Sequence, residues 1–308
     1  MPDVDVVRIV SELHETYDYA EHYQPDCIVM SGRLANRPEF ELLDALLQIL
    51  GISCILLQEP EDVAEELMSA RLAEHVVRLP SSAGDATLQG ALQQCRKSAP
   101  RPAPTLASPA PARSQDPDRI VLIGSSTGGV DALLQIISEF PPDCPPTMIV
   151  QHTGGSYAQS LIRLLASSTA ARVIAAQDGM PLARGEIYLA PGDTAHLKLR
   201  GGRRRQITLM DGPPVSGHRP SVNALFMSGL DYAGHVTAAL LTGMGSDGAE
   251  GITCLRKAGA RTFGQDAATS VVYGMPRVAR EMGGIETELP LPKIGAAILN
   301  SSQVRMQS

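Results

Sequence analysis

Residues 120–130 read Ile120-Val-Leu-Ile-Gly-Ser-Ser-Thr-Gly-Gly-Val130 (IVLIGSSTGGV), an apolar run that breaks abruptly into serines held between glycines. Beyond it, Leu133, Ile136, Ile137 and Phe140 fall on one face of an amphipathic helix. A buried strand therefore turns tightly into a helix, with Ser125 and Ser126 at the tip. Three chemistries use such a turn. A P-loop needs GxxxxGK[ST], and no lysine follows. A dinucleotide fingerprint needs GxGxxG, and Ser126 stands at its second glycine. A nucleophile elbow needs GxSxG, and Gly124 and Gly128 flank Ser126 at that spacing. Serines that merely cap the helix are an equal alternative on this segment alone.

The other strand ends change the weighing. TMIVQH sets His152 directly after an apolar run. AALLTGMGSDG sets Asp247 in a glycine-rich loop before the helical stretch 249–258. In an open parallel sheet, function collects beyond the carboxyl ends of the strands, where Ser126, His152 and Asp247 all fall. Ser126 is a weak nucleophile until His152 accepts its proton, and Asp247 would hold His152 in the right tautomer. Backbone N–H groups at Thr127 and Gly128, with another from the loop 243–245, are placed to stabilise an oxyanion. Each residue also has an ordinary reading: a histidine at a strand end is often structural, and an aspartate in GSDG often caps a helix. His196, His218 and His235 are rival bases by spacing. The order Ser…His…Asp differs from the Ser…Asp…His of α/β-hydrolases.

The chain of 308 residues is long enough for two cores. Residues 97–118 (KSAPRPAPTLASPAPARSQDPD) hold almost no large apolar side chain and read as an extended tether. This predicts a domain at 1–96, a linker at 97–118 and a second domain at 119–308. Both domains alternate strand and helix patterns, so each is expected to be α/β with a mostly parallel sheet. In the first, strand-like or helix-like runs lie at 5–10, 27–30, 39–50, 52–57, 62–73 and 76–77. In the second, further strands are expected at 171–176, 186–189 and 261–263, and a hairpin at 196–200 and 206–210 around Gly201-Gly202.

Residues 1–96 carry 17 acidic and 6 basic side chains, and the remainder 16 and 20. The acidic half excludes nucleic-acid binding, and the mildly basic half suits an acidic protein surface instead. Five scattered cysteines without CxxC spacing point to small buried side chains in a reducing cytoplasm, not a disulfide framework or zinc site. No apolar run is long enough to span a membrane, and no basic-then-apolar signal peptide opens the chain.

Six segments in order, IGSSTGG, QH at 151–152, RGEIYLAPGDTAHL, HRPSVNALF, LTGMGSDGAEG and VVYGMPR, resemble the catalytic domain of CheB-type chemotaxis protein-glutamate methylesterases over residues 118–299. The resemblance implies a three-layer α/β/α domain that hydrolyses glutamyl γ-methyl esters on the cytoplasmic helices of chemoreceptors and releases methanol. Many members also deamidate glutamine. It places the catalytic roles on Ser126, His152 and Asp247, and the oxyanion-hole backbone at Met244. No metal or organic cofactor is implied. Thr153-Gly154 replaces the usual Met-Pro after the histidine, and Asn223 replaces the usual aspartate of HRPSVD. Neither is expected to touch the Ser–His–Asp set.

PDCIVMSG (25–32) resembles the third strand of the receiver domain that precedes the catalytic domain in this family. The position of the phosphorylated aspartate is Ser31, and the strand with the Mg²⁺-holding acids has no counterpart. Gln58 and Leu79 stand where a Thr/Ser and a Lys are usual. The domain is read as a truncated pseudo-receiver that caps the esterase, tethers a partner or only folds. A start codon upstream of Met1 would account for the missing strand. Partners implied are methylated chemoreceptor helices, with a chemosensory histidine kinase or another regulator as a further class. The alternative function is a signalling adaptor that binds receptors without hydrolysis.

Overall fold

A computed structural model describes residues 4–37, 39–59, 75–95, 118–153, 157–192, 194–201 and 205–301. The chain divides into two compact units, 1–105 and 106–308. The expected linker lies outside the described residues except for Asp118, as does the helical stretch expected at 62–73.

The first unit holds helix α1 (Leu13–Tyr23), strand β1 (Cys27–Ser31), a turn of helix α2 (Gly32–Ala35), α3 (Phe40–Leu50), β2 (Ser53–Gln58), β3 (Val76–Pro80) and α4 (Asp85–Cys95). The strands form a parallel sheet in the order β1-β2-β3. One small core joins Ile55 to Ala91 and Cys95 under α4. The run 5–10, expected as a strand, is not one: Val6, Val7 and Ile9 are exposed at 68%, 59% and 85%. A strand needs a neighbour for its N–H and C=O groups, and β1 pairs only with β2. Ser31 ends β1 and caps α2, its hydroxyl accepting from the Arg33 N–H.

The second unit is built on a seven-stranded sheet in which every pairing is parallel. Its strands are β4 (Ile120–Ser125), β5 (Thr147–Gln151), β6 (Arg172–Ala175), β7 (Glu186–Leu189), β10 (Val236–Leu240), β11 (Arg261–Gln265) and β12 (Thr287–Leu289), in the order β12-β11-β10-β4-β5-β7-β6. All six residues of β4 and all five of β5 are buried, which requires cover on both faces of the sheet. Helices α5 (Gly129–Ile137), α6 (Ala158–Ala166) and α10 (Leu291–Asn300) form one layer. Helices α7 (Val222–Ser228), α8 (Ala249–Lys257) and α9 (Met275–Glu281) form the other. The α/β/α sandwich is the architecture expected, and Leu133, Ile136, Ile137 and Phe140 are all buried as the helical face predicts. The expected hairpin is β8 (His196–Arg200) with β9 (Gln206–Met210), antiparallel. Burial lifts the Cys54 and Cys144 thiols to about 12, in keeping with their reading as small core side chains.

Topology fixes the site. Ser125 pairs with Gln151, and Leu240 with Gly124, so Ser126, His152 and the loop after β10 leave three adjacent strands at the same level. Two glycines make the turn possible. Gly128, the residue before α5, has φ 79°, a left-handed conformation that a side chain would strain. Gly124 lies directly under Val222, the first residue of α7, and a Cβ there would overlap the Val222 Cγ1 atom. Gly124→Ala is expected to lower stability by about 1–3 kcal/mol through overpacking, measured by urea unfolding, and to displace the start of α7.

Candidate active site

Asp247 is the most heavily held side chain of the cleft. It is 2% exposed, and each carboxylate oxygen accepts two hydrogen bonds. Oδ2 accepts from His152 Nε2 at 2.9 Å and from the Val222 N–H at 2.7 Å. Oδ1 accepts from the Ser221 hydroxyl at 2.8 Å and the Asn223 N–H at 2.9 Å. The backbone donors belong to the first turn of α7, whose orphan N–H groups attract an anion. Burial alone would raise this carboxyl, but the hydrogen bonds from His152, Asn223 and Val222 outweigh it and hold the acid below its ordinary range. Asp247 is therefore a carboxylate, and His152 Nε2 carries the hydrogen of their bond.

His152 Nδ1 is left with its lone pair, buried and without a hydrogen-bond partner. An unpaired acceptor of this kind is costly unless something is meant to meet it. Ser126 leaves the neighbouring strand end and is partly exposed. Its backbone is held from two sides: its N–H donates to Thr242 O at 3.0 Å, and its carbonyl accepts from Gln151 Nε2 at 2.9 Å. Ser125 is fully buried, with its hydroxyl on Gln151 Oε1, so Ser126 is the serine that faces the cleft. The Ser126 hydroxyl does not bond Nδ1 in this structure; such contacts often close only when substrate binds.

Thr127 is exposed, and its carbonyl accepts from the Thr242 hydroxyl at 2.9 Å. Met244 stands 73% exposed at the rim. Among the described residues neither the Thr127 nor the Met244 N–H donates to another group, which leaves both available to an oxyanion. Gly128 supplies the left-handed turn that aims this segment.

The rival histidines separate cleanly. His196 is 3% exposed, with Nε2 on Pro213 O at 3.0 Å and Nδ1 accepting from the Ser221 N–H at 3.2 Å, so both nitrogens are already used. His235 precedes β10 and lies at the opposite end of that strand from Asp247. His218 alone joins the site, its ring stacked on that of His152. The expectation that Asn223 would stay clear of the Ser–His–Asp set is corrected: its backbone N–H binds Asp247 directly. Gln151, Ser221 and the His218 stack were not legible as site groups. Ser221 carries a capping signal before 222–228, but no pattern says that the next N–H groups reach a carboxylate 24 or 25 residues away.

The fold and this cleft define the class: an α/β sandwich with serine, histidine and aspartate at the carboxyl ends of neighbouring parallel strands. The CheB methylesterase family model matches residues 121–298, and the chain belongs to that family, a family of hydrolases. A protein-glutamate methylesterase/protein-glutamine glutaminase of Rhizobium etli is 37% identical over 99% of this chain and 91% of its own length. A protein of the same description from Caulobacter vibrioides is 36% identical over 99% and 92%. The crystal structure of the Thermotoga maritima CheB methylesterase catalytic domain superposes with a TM-score of 0.57 at 34% identity, covering 59% of this chain and 97% of that one.

In Asp247→Asn the amide NH₂ would face two donors whichever way it is turned. That substitution is expected to cost about 2 kcal/mol or more at pH 7 by urea unfolding. Because the folded acid is shifted down, its contribution is present above pH 3.8 and is lost as pH falls through the depressed value. The difference between variant and parent should therefore shrink only in strong acid.

Proposed function

We propose that this chain removes methyl groups from glutamate γ-methyl esters of chemoreceptor-type signalling proteins and deamidates glutamine by the same route. The observation that carries the reading is the polarity of His152, with one nitrogen fixed by a buried carboxylate and the other an unpartnered acceptor, at the strand end next to the one that carries Ser126. The names of the relatives, which span almost the whole chain, support the substrate class.

Ser126 Oγ attacks the ester carbonyl as its proton passes to His152 Nδ1, and the Asp247 carboxylate stabilises the imidazolium through Nε2. The tetrahedral oxyanion is received by the Thr127 and Met244 N–H groups. Methanol leaves with the proton returned by His152. Water then attacks the acyl-Ser126 with the same base and releases glutamate. With glutamine, ammonia is the leaving group. These steps use side chains, backbone and water alone.

On this reading 1–96 and 119–308 are separate domains joined by 97–118, working in the cytoplasm on receptor helices. Among the described residues no helix is long and apolar enough to cross a membrane. On the same reading the first domain, with Ser31, Gln58 and Leu79 where an Asp, a Thr/Ser and a Lys are usual, takes no aspartyl phosphate. Beryllium fluoride or acetyl phosphate is therefore expected to leave the rate unchanged, and activation by either would restore a phospho-switch.

Methanol release from a methylated receptor cytoplasmic fragment tests the activity. Ser126→Ala should lower it by about 10⁴-fold or more. Equal rates for parent and variant would remove Ser126 from the mechanism. Binding of the fragment with no methanol released by the parent would leave the adaptor.

A further inference from the structure

The His152 ring is tethered by one side-chain hydrogen bond, at Nε2. A single bond of this kind leaves the ring free to swivel about the line from Nε2 to Asp247, because χ2 of histidine is a soft torsion. The direction of Nδ1 depends on that swivel. The face of the ring is where it is stopped: His218 lies on it with ring centroids 3.8 Å apart and planes 8° from parallel.

His218 is mounted for this contact. It closes a two-residue hairpin in which the Val215 N–H donates to His218 O and the His218 N–H to Val215 O, both at 3.0 Å. The turn residues Ser216 and Gly217 both have positive φ, 53° and 81°, the tight primed geometry. Asn223 Nδ2 donates to the Ser216 hydroxyl at 2.8 Å, while Asn223 Oδ1 accepts from the Gly251 N–H at 2.8 Å. The same residue gives its backbone N–H to Asp247. Asn223 thus ties the hairpin that carries His218 to the carboxylate that holds His152, and both restraints on the base share one anchor.

We propose that His218 is a positioning residue for the base, fixing the plane of the His152 ring so that Nδ1 points at Ser126. The proposal rests on the reading of His152 as general base. The charged groups acting on His218 are His152 and Asp247, and the adjacent Arg219 is engaged by Asp211 at 3.0 Å and Gly212 O at 2.9 Å. Burial, then the charge of His152, favour the neutral form of His218, against the pull of Asp247.

The test uses the full chain with His218→Ala, which removes the face, and His218→Phe, which keeps a flat ring without a charge. Hydrolysis of p-nitrophenyl acetate and methanol release are measured, each as kcat and KM. His218→Ala should lower kcat by about 10- to 100-fold with KM unchanged, the scale of a misaimed catalytic group. His218→Phe should recover most of that loss. An unchanged kcat in His218→Ala, or a His218→Phe as slow as the alanine variant, would each overturn the proposal. A parent chain inert toward both esters, as inert as Ser126→Ala, would instead sink the esterase reading. This proposal would fall with it, whereas an active parent with an unchanged kcat in His218→Ala overturns this proposal alone.

Discussion

The cleft depends on one buried anion. Asp247 is removed from water yet remains charged, because four donors converge on its two oxygens, two of them backbone N–H groups of a helix start. Those donors come from the segment after the β8–β9 hairpin and from the end of β5, so a single carboxylate joins three parts of the second unit. Its demands run outward. The start of α7 must reach it, which brings Val222 onto β4 and leaves room only for glycine at 124. His152 must donate to it, which fixes the tautomer and leaves Nδ1 rather than Nε2 as the acceptor. In the familiar triad the carboxylate meets Nδ1, whereas here it meets Nε2.

Ser126 is prepared differently, through its backbone. Gln151 holds its carbonyl, Thr242 takes its N–H, and the Thr242 hydroxyl reaches the Thr127 carbonyl. The turn is thereby braced by residues of both flanking strands, while the serine hydroxyl is left to the cleft. Burial follows the same division. The proton-handling side, Asp247 and His152, is enclosed, whereas Thr127 and the rim at Met244 are open. Such a site suits a reacting group carried on the surface of a large partner. A small free substrate is better served by a pocket that surrounds it.

What the sequence could disclose follows from what each signal encodes. Glycines around Ser126, and apolar runs ending at His152 and before Asp247, report local backbone demands and strand ends, and a parallel sheet converts strand ends into neighbours. That logic reached the three residues without a view of their contacts. It could not reach Asn223, whose role lies in its backbone N–H and in two side-chain bonds to Ser216 and Gly251. Nor could it tell His218 from His196 and His235, because spacing is silent on which ring is already satisfied. The three-residue β12 is too short for any periodicity to show. The run 5–10 failed for the opposite reason: alternating valines give a strand pattern, but a strand exists only with a neighbour to pair it.

Asn223 shows why a departure from a family pattern has to be judged by its bonds. An aspartate there could accept from the Gly251 N–H and from the Ser216 hydroxyl, so the geometry would survive. It would also place a second negative charge next to the first turn of the helix that serves Asp247, in competition for the same dipole. The amide meets both partners as donor and acceptor without that charge. Asp247 then has no competing charge at that helix start, and its charge acts on both His152 and His218. The His152 ring, bonded at its edge by that anion and stacked on its face by His218, meets two contacts on one soft torsion. Both constraints run through the bonds of Asn223.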